Sequence, residues 1–164
     1  MKKFVFTLLL VFVCHLGYAQ GINGLFNEFG SEKNADCVKV SSFMMSLGKM
    51  FAGHDEDAKI IRKIKSIKVL DLESCTASVK ERFNKKVNKL NLKGYDELMR
   101  VNDEGEKVRV LMKTKKETIR ELLFVCTGKE DCTLVQINGK FTKDDIDKLV
   151  NQETVSYTHL RAHE

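Results

Sequence analysis

The period of the chain changes at Tyr95, and that change constrains the fold more than any other feature. Before it, apolar residues recur at three- and four-residue steps, as on an amphipathic helix. After it they alternate, as on a strand with one face turned to a core. Tyr95–Val101, Lys107–Thr114, Thr118–Cys126 and Cys132–Asn138 read as four consecutive strands. Short polar links such as Asn102-Asp103-Glu104-Gly105 and Gly128-Lys129-Glu130-Asp131 join them, and links of that length imply an antiparallel meander. Leu122-Leu123-Phe124-Val125 is apolar in both parities, which predicts a strand interior to the sheet.

Proline is absent, so the upstream boundaries rest on glycine, caps and period. Ile22, Leu25, Phe26 and Phe29 predict a first helix ending at Gly30, and Cys37–Ser41 alternates as a brief strand. Ser42 is the expected cap of a helix carrying Phe43, Met44, Leu47, Met50 and Phe51 and closed by Gly53. Its Met-rich stripe reads as core rather than as a soft docking surface. Ile64–Leu72 predicts a strand with Ile67 and Val69 on one face and Lys68 and Leu70 on the other. Ser78-Val79-Lys80-Glu81 has the capping-box pattern and opens a helix with Val79, Phe83, Val87 and Leu90 on one side, stopped by Gly94. Thr142-Lys143-Asp144-Asp145 caps a last helix through Ile146, Leu149 and Val150. The order α-β-α-β-α-β-β-β-β-α predicts an α+β domain: a mostly antiparallel mixed sheet, its C-terminal part a four-strand meander, with helices packed mainly on one face.

The two ends read differently from this domain. Met1-Lys2-Lys3 is basic, Phe4–Val13 is apolar but too short to span a membrane, and Gly17-Tyr18-Ala19 places small residues before Gln20. Residues 1–19 are therefore expected to be a signal peptide, and the product a periplasmic or secreted chain with no transmembrane segment after cleavage. A lipid anchor at Cys14 is the weaker alternative, because Val13 is not the small residue such an anchor needs before it. Residues 155–164 match the frame translation of a transposon-type sequencing adapter, which excludes them from fold reasoning and leaves residues 20–154 as one domain. Setting the ends aside removes Lys2, Lys3 and Arg161 from the basic count and Glu164 from the acidic one. The formal net charge falls from +5 to +3. His15, His159 and His163 go with the ends, so a histidine-based metal site or triad has only His54 to build on.

Four cysteines remain, Cys37, Cys75, Cys126 and Cys132, and an even number in an exported chain favours disulfides. Cys126 and Cys132 flank a short turn between two strands and are the preferred bridge. Cys37 and Cys75 then pair by elimination, although four cysteines permit three connectivities. The spacing is not that of a redox C-x-x-C or a zinc site. His54-Asp55-Glu56-Asp57 lacks the register of a calcium loop and reads as a solvated acidic segment. Asp144, Asp145 and Asp147 suit a helix start without any catalytic role. The basic run Lys59–Lys68, with Arg62, Lys63 and Lys65, reads as a solvated edge guarded by lysines rather than as a headgroup or glycan site. No Gly-x-Ser-x-Gly elbow, phosphate-cradling loop or His-Glu-x-x-His occurs, and no basic-aromatic patch suggests nucleic acid. No catalytic residue, metal or cofactor is assigned.

At Val38-Lys39-Val40-Ser41, Gly94–Val101 and Ile119-Arg120-Glu121-Leu122-Leu123 the chain resembles a family of small exported bacterial proteins, domain of unknown function 4252. The resemblance covers about residues 25 to 150, including Gly139 and Asp145-Ile146-Asp147. It implies a signal peptide, a single domain, and no established activity or catalytic residue to carry over. Association of members with envelope-stress sigma-factor systems hints at a regulatory or envelope role. The expected function is a non-enzymatic binding module of the cell envelope, its partner an unidentified envelope protein, a lipid or a glycan. The rivals are a hydrolase of an envelope or extracellular polymer and a lipid-carrying protein. The contact surface is expected on the exposed face of the meander, around Tyr95, Met99, Lys107, Arg109 and Lys113.

Overall fold

The computed structural model describes residues 21–51 and 56–148. The expected signal peptide with Cys14, residues 52–55 with Gly53, His54 and Asp55, and everything from Leu149 onward lie outside them.

Helix α1 (Ile22–Phe29) buries Ile22, Leu25, Phe26 and Phe29 on one stripe and ends at Gly30, as the period predicts. A Cβ at Gly30 would lie 2.4 Å from the Phe26 carbonyl and 3.0 Å from Cys37 Sγ, so only glycine lets β1 (Asp36–Val40) start this close to the helix end. Helix α2 (Ser42–Phe51) is capped one residue earlier than expected: the Ser41 hydroxyl accepts from the Met44 N–H at 3.5 Å, and Ser42 is already helical. The described part of its stripe is not core, and the side chains of Met50 and Phe51 lie outside those described. Phe43, Met44 and Leu47 are all exposed.

The basic run is divided between a helix and a strand. Helix α3 (Glu56–Lys63), which the alternating Lys and Ile residues conceal, leads directly into β2 (Ile64–Asp71). β2 lies between two other strands, so its lysines do not guard an edge. Helix α4 (Ala77–Asn88) buries Val79, Phe83 and Val87 as expected, but its first residue precedes Ser78, so the capping box does not form. Thr76 occupies the cap without a side-chain bond. The helix ends at Lys89, and Gly94, at φ +88°, serves the turn into the next strand instead.

The meander is as expected: β3 (Asp96–Asp103), β4 (Glu106–Lys115), β5 (Thr118–Thr127) and β6 (Thr133–Phe141). It folds back beside β2, giving a six-stranded sheet in the order β1-β2-β6-β5-β4-β3 with every pairing antiparallel. β5 is interior, as its two apolar parities require. Residues 143–148 form the start of α5, capped reciprocally: the Thr142 N–H donates to Asp145 Oδ2 at 2.7 Å, and the Asp145 N–H donates back to Thr142 Oγ1 at 3.3 Å.

Two apolar clusters lie on opposite faces of this sheet. On the first face, α1 and α4 cover Leu70, Leu134, Leu123, Val125 and Leu111, with Phe29 and Phe83 edge to face at 5.4 Å. On the second, a smaller cluster joins Ile119, Leu122 and Phe141 to Ile64, Met112, Ile137 and, from α5, Ile146. Ile119 and Leu122 are three residues apart yet share that face, because the register shifts between Ile119 and Glu121. Gly139 makes room for this end. A Cβ there would fall 2.5 Å from the Phe141 ring and 2.7 Å from the Lys63 carbonyl.

Candidate functional site

The cysteines do not form the expected bridges; all four are free thiols. Alternation along β5 explains the central one. Val125 points into the helix-covered core, so Cys126 points to the opposite face, while Cys132 is buried in that core. The Cys132 thiol donates to Asn84 Oδ1 at 3.3 Å and to the Gly128 carbonyl at 3.4 Å. Cys75 donates to the Lys33 carbonyl at 3.5 Å, and Cys37 packs beneath Gly30. Burial pushes the thiols of Cys75, Cys126 and Cys132 above their ordinary value, which keeps them protonated and weakly nucleophilic.

The residues expected to form a contact surface are divided between the two faces. Lys107, Arg109 and Lys113 share the parity of Leu111 and lie on the face that carries α1 and α4, beyond the reach of those helices. Arg109 and Arg100 both donate to Glu97, and these bonds hold the Glu97 carboxyl down at about 2. Tyr95 donates to Glu121 at 2.6 Å, with the Lys113 ammonium 5.3 Å from its ring centre. Gln136 also donates to Glu121 at 2.6 Å. These charges engage one another. Met99 pairs with Val110 and points to the other side.

That other side is what the sequence reading missed. The registers place Val38, Val69, Val135, Phe124, Val110 and Met99 in one row that crosses all six strands on the same face. A second row, Val40, Ile67, Ile137, Leu122, Met112 and Asp96, lies next to it and is partly covered by α5. A third, on the far side of the first, contains Thr133, Cys126, Val108 and Val101. The central row has no charged member. Val38 is 56% exposed, Met99 48% and Phe124 37%, with Val69 and Val135 half-buried and Val110 buried. At ~4.8 Å between strands the row is about 24 Å long. Patterned alternation normally turns the apolar parity to a core and the polar one to water. Here Val108 and Met112 are half-buried and Val110 is buried on the side of β4 away from α1 and α4, and Lys107, Arg109 and Lys113 lie on the side with the helices.

The ends of this face differ in charge. Asp36 stands directly opposite Asp71, and Asp103 directly opposite Glu106, with all four carboxylates on this face at the end where β2 finishes. Where β2 begins, an open cleft of about 430 Å³ between α3 and α5 is lined by Lys59, Ile60, Arg62, Lys63, Asp145 and Lys148. Lys63 Nζ lies 2.6 Å from both oxygens of Asp145. Burial by itself raises the Asp145 carboxyl, but the Lys63 ammonium and the Thr142 amide and hydroxyl outweigh it and hold the carboxyl below its ordinary value. Among the described residues the cleft has one carboxylate, and that one is already engaged.

Among the described residues no three of His, Cys, Asp and Glu come together as a metal-holding group, and no helix is long and apolar enough to cross a membrane. The model of the family described as Domain of unknown function (DUF4252) matches residues 29–149. No curated protein and no solved structure matches the chain.

Proposed function

The chain belongs to the DUF4252 family, and from that premise we propose that it is an exported, non-enzymatic binding module of the bacterial cell envelope, with the open face of its sheet as the binding surface. The observation that carries this reading is the uncharged row from Val38 to Met99. Soluble monomers rarely leave an apolar patch of more than a few hundred Å² in water, and covering one contributes about 25 cal/mol per Å². A hydrolase reading has less support. Glycoside hydrolysis needs two carboxylates facing one cleft, and among the described residues the cleft between α3 and α5 offers Asp145 alone, already bonded to Lys63 and Thr142. A carrier would hold its lipid in an enclosed apolar cavity, whereas the row lies on a broad sheet surface.

Photo-crosslinking in the native envelope tests the proposal. A photoreactive residue at position 38 or 124 is expected to give discrete adducts, and one at position 107, on the opposite face, to give none. Equal labelling from all three positions would overturn it.

A further inference from the structure

Taking the open face as the binding surface proposed above, we infer that its occupant is a second copy of this chain, packed sheet against sheet with its strands reversed. Three features of the face point to this arrangement.

The first is shape. A row of valines, one phenylalanine and one methionine across six strands is a broad pleated surface. Two such surfaces interdigitate about 10 Å apart, as in a β-sandwich. With a row about 24 Å long and strands of comparable length, the face measures on the order of 500 Å² in projection. Its accessible area approaches the roughly 800 Å² per partner of a stable interface.

The second is charge. Like charges directly opposite on a sheet are destabilising, yet this face has two such pairs, Asp36 with Asp71 and Asp103 with Glu106, at one end. The other end carries Lys59, Arg62, Lys63 and Lys148 around the cleft, against two carboxylates, Asp145 bonded to Lys63 and Asp96 opposite Met112. β2 connects the two ends, starting right after Lys63 and finishing at Asp71. A two-fold axis in the interface, perpendicular to the strands, turns each acidic end toward the basic end of the partner. An axis parallel to the strands would stack acid on acid.

The third is steric. Among the described residues α5 stands on this face at the basic end. The parallel axis would drive α5 into the copy of itself, whereas the perpendicular axis seats it beside the partner's third row, at Thr133, Cys126 and Val108. Running that axis along the central row brings each of its residues against its own copy and closes the assembly as an isologous dimer.

Sedimentation equilibrium of the full exported chain tests this across ~1 to ~100 μM, a range that captures micromolar dissociation. The expected result is a dimer that Val135→Glu and, on the edge strand, Val38→Lys both convert to monomer, with folding checked by circular dichroism. The double variant Asp36→Lys/Asp71→Lys is expected to weaken dimerisation at least ~10-fold, as like charges then face each other across the interface. A wild-type monomer at the highest concentration overturns the inference. So does a dimer indifferent to Val38→Lys, or one that the double charge reversal leaves unchanged. If the chain is monomeric while position 124 still crosslinks a different protein, the second copy falls and the binding surface stands. If position 124 crosslinks nothing, both fall.

Discussion

The Tyr95 hydroxyl donates to Oε1 of Glu121 at 2.6 Å, joining the residue ahead of β3 to the middle of β5 past the intervening strand β4. Gln136 of β6 donates to the same oxygen at 2.6 Å, so one carboxylate ties three parts of the meander. Burial, followed by the Glu121 bond and charge, pushes the phenol above its ordinary value and keeps the donor proton in place. Tyr95→Phe removes that donor from a half-buried carboxylate. The expected cost is about 1–2 kcal/mol in urea unfolding, typical of a bond to a charged group. An unchanged midpoint would mean that the bond contributes nothing net.

Asp145 is expected to contribute part of the chain's acid sensitivity. Its carboxyl sits below its ordinary value when folded, so its contribution is fully present above the unfolded value near 3.8 and is lost as pH falls through the lower folded value. Asp145→Asn is expected to cost about 2–3 kcal/mol at neutral pH and to flatten the loss of stability below about pH 4. Urea unfolding between pH 2 and 7, wild type beside variant, provides the comparison; parallel curves would show that other carboxylates dominate.

The first two hairpin turns of the meander are unequal. Between β3 and β4, Glu104 and Gly105 take φ of +43° and +94°, and the glycine fits that geometry; between β4 and β5, Lys116 and Glu117 take +49° and +61° with no glycine. Replacing Lys116-Glu117 by Asn-Gly relieves two left-handed L residues and is expected to stabilise the chain by about 1 kcal/mol. Thermal unfolding would show this as an upward shift, and a downward one would contradict the turn geometry.

Gly139→Ala should be costly although the position lies near the end of a strand. The added methyl meets the Phe141 ring and the Lys63 carbonyl, and the backbone carbonyl cannot yield cheaply. A loss of about 1–3 kcal/mol is expected, the usual range for overpacking. Neutral behaviour in urea unfolding would show that the β2–β6 contact is looser than described.

The meander and its interior strand β5 are legible in the sequence because alternation and hairpin links are local signals. So is the Thr142–Asp145 cap. Helix α3 is not, because Lys59–Lys68 interleaves lysine and isoleucine across a helix and the following strand without a break. The open face is hidden for a different reason. On β4 one parity is basic and the other apolar, and ordinary patterning assigns the apolar one to the helix side. α1 and α4 instead cover Leu70, Leu134, Leu123, Val125 and Leu111, leaving Lys107 exposed and Arg109 half-buried beside them. Parity separates two faces without saying which of them the helices occupy. The same blindness misleads the cysteine pairing, since Cys126 and Cys132 are close in sequence but lie on different sides of the sheet.

Hydroxyl-radical footprinting of the chain in its native envelope, against the purified chain diluted to monomer, tests the central claim most directly. Met99 and Phe124 are predicted to react readily when dilute and to be protected in the envelope, with Tyr95 on the opposite face unchanged. Equal reactivity of Met99 and Phe124 in both settings would contradict a binding role for the open face.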